Sequence, residues 1–160
     1  MLNFKPHSRK DISLRVKWLN NYEAVLYAIH KPEESTTDEL QNKWFDDYEI
    51  KFERGEKKFF TIYSDDTPIG FMGLSDINTT TGDAKIFILI GEDEYRGRGL
   101  GTESIKYLID YAFNNLDLKS LRLDVKKSNL PAINLYNKVG FKKTGEDGEG
   151  DQFLLMELDR

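Results

Sequence analysis

The sequence contains no cysteine. That absence excludes disulfides, thiolate zinc sites and a cysteine nucleophile together. Histidine is scarce: His7 and His30 are the only two, too few and too far apart for an HExxH-type metal site. No apolar run approaches the roughly 20 residues that cross a bilayer. The amino terminus, "MLNFKPHSRKD", turns polar too soon to resemble a signal peptide. Positive charge is also in deficit, with 23 Lys and Arg against 28 Asp and Glu and a formal net charge of −5. Such a balance argues against a general nucleic-acid binder, whose affinity rests on phosphate neutralisation. The expectation is a cytoplasmic, metal-free protein with neither a nucleic-acid nor a membrane partner. No internal repeat or low-complexity linker interrupts the 160 residues, so one domain over 1–160 with a real core is expected.

What is present reads as alternating helices and strands. "DISLRVKWLN" (Asp11–Asn20) places Ile12, Val16 and Leu19 on one helical face, and Tyr22–Ile29 extends it after a kink. Thr36, with Glu39 three residues on, forms a capping box that opens a helix through about Arg54, and Gly55 stops it. "KFFTIYSDDTPIGFMGLSDI" predicts two strands joined at Asp65-Asp66-Thr67-Pro68. A turn over Asn78–Asp83 leads into "AKIFILIG", a strand whose near-continuous hydrophobicity implies burial on both faces. "TESIKYLIDYAFNNL" is a helix, "SLRLDV" a strand, and "LPAINLYNKVG" a short helix with proline in its first turn and Gly140 past its end. Two strands, "FKKTGE" and "QFLLMEL", close the chain around the turn Glu146–Asp151. The order predicts an α/β (α+β) fold: a mixed, mostly antiparallel sheet of six to seven strands with helices on both faces.

Between the third strand and its helix lies "YRGRGLG" (Tyr95–Gly101). A strand that ends in a glycine loop opening a helix is a site for an anion. Unpaired backbone N–H groups and the helix dipole both point outwards there. Gly97, Gly99 and Gly101 let phosphate oxygens approach without a Cβ in the way, and Arg96 and Arg98 supply countercharge. The loop is not a Walker A motif, since no GxxxxGK[ST] is present. It is not the dinucleotide fingerprint either, because Thr102 stands where the third glycine is due.

Two segments together carry a resemblance. "RGRGLGTES" after a buried strand is similar to the R/Q-x-x-G-x-G/A pyrophosphate loop of the GNAT N-acetyltransferase superfamily. "LDVKKSNLPAINLYNKVGF" resembles its second signature at Asn129, Ala132, Leu135-Tyr136 and Gly140-Phe141. "LIGEDEYRGRGLGTES" and "VKWLNN" are similar to the ribosomal-protein-alanine and polyamine acetyltransferase branch.

The resemblance implies acetyl transfer from acetyl-CoA, as cosubstrate, to a primary amine: a small polyamine, an aminosugar or a protein amino terminus. Pyrophosphate would sit on Arg96, Gly97, Arg98, Gly99, Leu100, Gly101 and Thr102, and pantetheine along Leu89, Ile90 and Gly91. Asn129 would contact the pantetheine arm, and Tyr136 would act there as general acid to the departing thiolate. Relatives often carry glutamate in a phrase like "AEIG", where this chain has "AKIF" with Lys85. The base is therefore open between Glu92, Asp83 and a water chain. Asp46, Asp47, Glu49 and Glu53, with Glu33 and Glu34 before them, sit near Trp18, Tyr22, Trp44, Phe45 and Tyr48. That mixture could hold an ammonium, or be a solvated helix face beside a packed core. A homodimer is expected from the family. The competing expectations are a non-catalytic CoA-binding regulatory domain and a protein that holds ATP on the same loop.

Overall fold

The structure, a computed structural model, describes residues 1–26, 34–147 and 152–160. The end of the expected extension to Ile29, His30, Glu33 and the middle of the Glu146–Asp151 turn lie outside the described residues. The elements are β1 (Leu2–Pro6), α1 (Ile12–Leu19), α2 (Tyr22–Val25), α3 (Asp38–Glu53), β2 (Lys58–Ser64), β3 (Thr67–Asn78), β4 (Asp83–Ile90), α4 (Leu100–Asp110), β5 (Ser120–Lys126), α5 (Leu130–Lys138), β6 (Lys142–Asp147) and β7 (Phe153–Asp159). The seven strands form one sheet in the order β1-β2-β3-β4-β5-β7-β6, within the six to seven strands that the sequence implied. Every neighbouring pair is antiparallel except β4 and β5. A parallel pair needs a crossover, and α4 provides it, ending in a π-type turn over Tyr111–Asn115.

The β4 strand explains the two-layer architecture. Ala84 and Ile86 face a core cluster with Ile105, Leu108, Leu121 and Met156 beneath α4 and α5. Phe87 and Leu89 alternate to the opposite face and join Trp18, Phe45, Tyr48 and Phe71 beneath α1 and α3. Both faces of the strand are covered, which accounts for its continuous hydrophobicity.

Three details differ from the sequence reading. β1 was not expected, because a five-residue edge strand with one inward residue, Leu2, carries little pattern. The cap of α3 is Thr37 rather than Thr36: its side chain accepts from Leu40 N at 3.2 Å, a bond worth about 1 kcal/mol. Thr36 instead accepts from Gln41 Nε2 and exchanges backbone bonds with the Asn20 side chain at the end of α1. In the β2–β3 turn, Thr67 and Pro68 already belong to β3, leaving Asp65 and Asp66 as the turn, with Asp65 at φ 52°.

The α1 helix buries Ile12, Arg15 and Trp18, a face rotated from the expected Ile12–Val16–Leu19 stripe. Arg15 is 4% exposed and its guanidinium lies 3.7 Å from the Trp44 ring centroid and 4.5 Å from that of Phe71. Its Nε donates to Gln41 Oε1 at 2.9 Å, and its Nη1 lies 3.3 Å from His7 Nε2. With Arg15 donating to Nε2, the His7 proton belongs on Nδ1, where it donates to Thr61 Oγ1 at 2.6 Å. The Thr61 hydroxyl passes its own hydrogen to Asp11 Oδ2 at 2.9 Å. Donor and acceptor roles are thus consistent along the whole buried chain.

Burial, then the Arg15 charge, lowers the His7 pKa from 6.5 to about 4, against an opposing pull from Asp11. The unfolded chain takes up this proton near pH 6.5 while the folded chain refuses it until about 4. The contribution to stability is therefore complete above pH 6.5 and is lost as the pH falls through that window. Urea unfolding from pH 7 to 4 is expected to show a loss on the order of 3 kcal/mol from this group. A His7→Gln variant should lack that part of the slope; an unchanged slope would assign the proton uptake to another group.

Candidate active site

At its root, β4 pairs with β5 only through Asp83–Lys85 and Ser120–Arg122. Beyond Lys85 the two strands part, and the β5-facing side of β4 stays open over Ile86–Ile90. Lys85 Nζ and Asp124 Oδ1, 2.5 Å apart, bridge the fork where the strands diverge. At the other end of β4, Ile69 O accepts from both Gly91 N and Glu92 N, at 2.8 and 3.1 Å. Two residues against one is a bulge, which bends the strand away from the sheet. With Gly91 turned to β3, strand alternation directs the backbone groups of Ile90 and Ile88 into the gap. A Cβ on Gly91 would stand 2.1 Å from Trp18 Cγ, so the fully buried indole requires glycine there.

The loop that follows is shaped by its own side chains. Arg96 ion-pairs with Asp93 and donates to Ile90 O at 3.1 Å, holding the loop against the end of β4. Arg98 is exposed, donates to Glu94 O at 3.2 Å and lies over the Tyr95 ring. Gly97 and Gly99 adopt φ of 73° and 79°, and nothing in the chain lies within 4 Å of where their Cβ atoms would stand. Gly99 is the N-cap of α4, whose first turn presents its backbone amides outwards. Across the gap, Asn129 caps α5 by accepting from Ala132 N at 3.2 Å.

These elements enclose a cleft of about 400 Å³. Leu89, Ile90, Arg96, Gly97, Gly99, Gly101, Thr102 and Asn129 all line it. Gly91, Arg98, Leu100 and Tyr136 are not among its walls. Sequence reasoning missed Ile88, Tyr95, Asn134 and Lys138, which do line it. Asn134 and Lys138 sit one helical turn apart on α5, a polar pair on an otherwise apolar helix face that could have been noticed.

Tyr136 is 8% exposed and packs edge-on against Phe141, with ring centroids 5.6 Å apart. Burial, followed by the charge of Asp124, raises its pKa above the phenolic range. Because Asp124 also pairs with Lys85, the phenol is placed near the root of the fork. Glu92 Oε1 accepts from Lys17 Nζ at 2.5 Å and Trp18 Nε1 at 2.8 Å. The Lys17 bond, then the Trp18 bond against partial burial, lowers its pKa. Asp83 is likewise engaged, with Thr81 and Arg122. Of the acids of α3, Asp46 and Glu49 bind Arg9 and Asp47 binds Lys51, and Trp18, Phe45 and Tyr48 pack into a core cluster. Glu49 and Glu53 line a cleft of about 390 Å³ with Phe45, Tyr48 and Phe52.

An open fork beside an amide-rich helix start suits an extended ligand that carries a phosphate. The profile of the acetyltransferase (GNAT) family matches residues 21–141, and the chain belongs to that family. It is 32% identical over 145 residues to spermidine N(1)-acetyltransferase of Escherichia coli K12, covering 91% of this chain and 75% of that one. The spermidine N(1)-acetyltransferase of Vibrio cholerae is 29% identical over 146 residues, 90% of this chain and 80% of that one. A crystal structure of spermidine N-acetyltransferase from Vibrio cholerae with CoA and spermine superimposes with a TM-score of 0.84 at 23% identity, covering 99% of this chain and 95% of that one. The chain is an acetyl-CoA-dependent N-acetyltransferase that moves an acetyl group to a primary amine. No described helix is long and apolar enough to cross a membrane.

Proposed function

We propose that the donor lies with its pyrophosphate on the first-turn amides of α4 and its pantetheine arm along the open side of β4. The thioester then reaches the fork near Lys85, where the amine attacks it directly. The observation that carries this reading is the pairing of β4 with β5 over three residues only, followed by an open edge leading to the glycine loop. Ile88 and Ile90 supply the backbone groups that face the arm, with Leu89 and Gly91 on the β3 side. Asn129 and the α5 wall close the opposite side of the arm.

In the reaction the amine nitrogen bonds to the carbonyl carbon and the C–S bond breaks. The nitrogen loses a proton and the thiolate gains one. Tyr136, a phenol that stays protonated across the physiological range, is the proposed donor of a hydrogen bond and then a proton to the sulfur and recovers one from water; burial makes it hold that proton more tightly. Glu92 and Asp83 are already committed to cationic or N–H and O–H partners, and a lowered pKa makes Glu92 a reluctant acceptor. The reading supported best is therefore a water chain as base, with Glu92 fixing α1 to the end of β4. The relatives named for spermidine place polyamines among the acceptors to assay first, beside aminosugars and peptide amino termini. Self-association is proposed on the dodecameric structure described for the Vibrio cholerae enzyme.

A coupled thiol-release assay with that amine panel is expected to show acetyl-CoA consumption dependent on one acceptor class. Tight acetyl-CoA binding with no thiol release on any amine would replace this reading with the non-catalytic CoA-binding one. The commitment of both candidate bases is what favours that second reading.

A further inference from the structure

On the opposite face of β4 from the core beneath α4 lies a second cleft, of about 370 Å³, whose walls include Arg15, Trp44, Lys51, Lys57, Lys85 and Phe87. It meets the fork at Lys85, the residue that bridges to Asp124. The two clefts share β4: one touches Ile88–Ile90, the other Lys85 and Phe87. An amine held here is therefore within one strand's width of a thioester lying in the gap.

The charge of this cleft is unlike the chain as a whole. A protein of net charge −5 lines it with four cations and one acid, Asp76. Lys51 is matched by Asp47 at 3.0 Å and Lys85 by Asp124. Arg15 and Lys57 are not matched: among the described residues, no carboxylate comes within ion-pair distance of either. Arg15 is 4% exposed, yet its hydrogen bonds go to a neutral amide and a neutral imidazole. The carboxylate whose charge acts on it, Asp11, is reached only through His7 and Thr61, and a guanidinium buried without a direct ion pair is costly. Burial lowers the Arg15 pKa to about 9, and Lys57 is likewise lowered, by burial and then by Lys51. Trp44 and Phe71 hold the guanidinium in place, and Arg15 is among the residues that line the cleft.

We propose that this cleft is the acceptor site and that the acceptor is an amine that also carries a carboxylate, its anion held by Arg15 and Lys57. The inference rests on the acetyl-transfer reading above. A polyamine in the same cleft would bring further positive charge against Arg15 and Lys57, which feel Asp11 and Asp76 only at a distance, whereas a carboxylate would give each a direct ion pair. A planar carboxylate also matches the two-nitrogen edge of a guanidinium.

The test uses the full chain and matched acceptors: glycyl-aspartate and glycyl-glutamate, their fully amidated forms, and spermidine. Thiol release is expected to show kcat/KM for the acidic dipeptides on the order of tenfold or more above the amides, and above spermidine. In Lys57→Gln that ratio is expected to collapse towards one. In parallel, the indole N–H resonance of Trp44, one of two tryptophans in the chain, is followed with CoA present. It should shift on addition of the acidic dipeptides and stay in place with the amides. Amides or spermidine used as well as the acids, or an acid-to-amide ratio unaltered in Lys57→Gln, would overturn the inference. Failure of the activity reading looks different: no thiol release with any amine while the acidic dipeptides still move Trp44. That outcome leaves a carboxylate site standing on a chain without turnover.

Discussion

Tyr136→Phe is expected to lower kcat by about 100-fold or more, the usual scale for removing a positioned acid, while acetyl-CoA affinity stays within about twofold. The ring is retained, so its edge-on contact with Phe141 and its place in the core beneath α4 and α5 persist. Only the hydroxyl is lost, and with it the proton proposed to meet the leaving sulfur. The raised pKa fixes the sign of a second expectation. A phenol that holds its proton beyond its ordinary value near 10 cannot produce a falling limb between pH 6 and 9. The wild-type rate should therefore climb with pH as the acceptor amine loses its proton, without a decline from Tyr136. Stopped-flow turnover, donor titration and thermal unfolding together read this out. Unchanged turnover would take Tyr136 out of the acid role. A fall in turnover matched by a fall in unfolding temperature would make the hydroxyl structural.

The donor side of the site was legible because its signals are local. The glycine spacing of the loop, the strand before it and the capped α5 each lie within one short segment, and the fold only has to place them side by side. The side proposed for the acceptor was not legible, for a reason visible in α1. Hydrophobic periodicity ranks arginine as outward, so the pattern chose Ile12, Val16 and Leu19. The chain instead buries Arg15, because His7 and Thr61 from the sheet and Gln41, Trp44 and Phe71 arrive from distant segments to surround it. No window of sequence contains that network. The same limit explains Glu92: as a loop acid it is available on paper, but Lys17 and Trp18, more than 70 positions earlier, engage it. The aromatic residues beside the acids of α3 left two readings open, since residues adjacent in sequence sit about 100° apart around a helix. Phe45 and Tyr48 point inwards while Asp46 and Asp47 point out.

The glycine loop gives the other large effect. Gly99→Val is expected to weaken acetyl-CoA binding by about 100-fold or more. Two causes are folded into that number, and a second substitution separates them. Gly99 holds φ at 79°, where a β-branched residue pays about 1–3 kcal/mol in backbone strain. Its Cβ position is also free of protein atoms within 4 Å, and Gly99 lines the cleft proposed for the donor, so a side chain there is expected to enter the space proposed for the pyrophosphate. Asparagine tolerates the left-handed conformation far better than valine, yet it too places atoms over the amides of the first turn of α4. If proximity to those amides is what binding requires, Gly99→Asn also loses affinity, by about tenfold or more, while its unfolding midpoint stays near wild type. If Gly99→Asn binds normally and only Gly99→Val fails, the glycine serves the turn rather than the ligand. Isothermal titration with acetyl-CoA, beside urea unfolding of both variants, distinguishes the two. Retention of wild-type affinity in both would move the pyrophosphate off the start of α4 altogether, and the open edge of β4 would then need a different occupant.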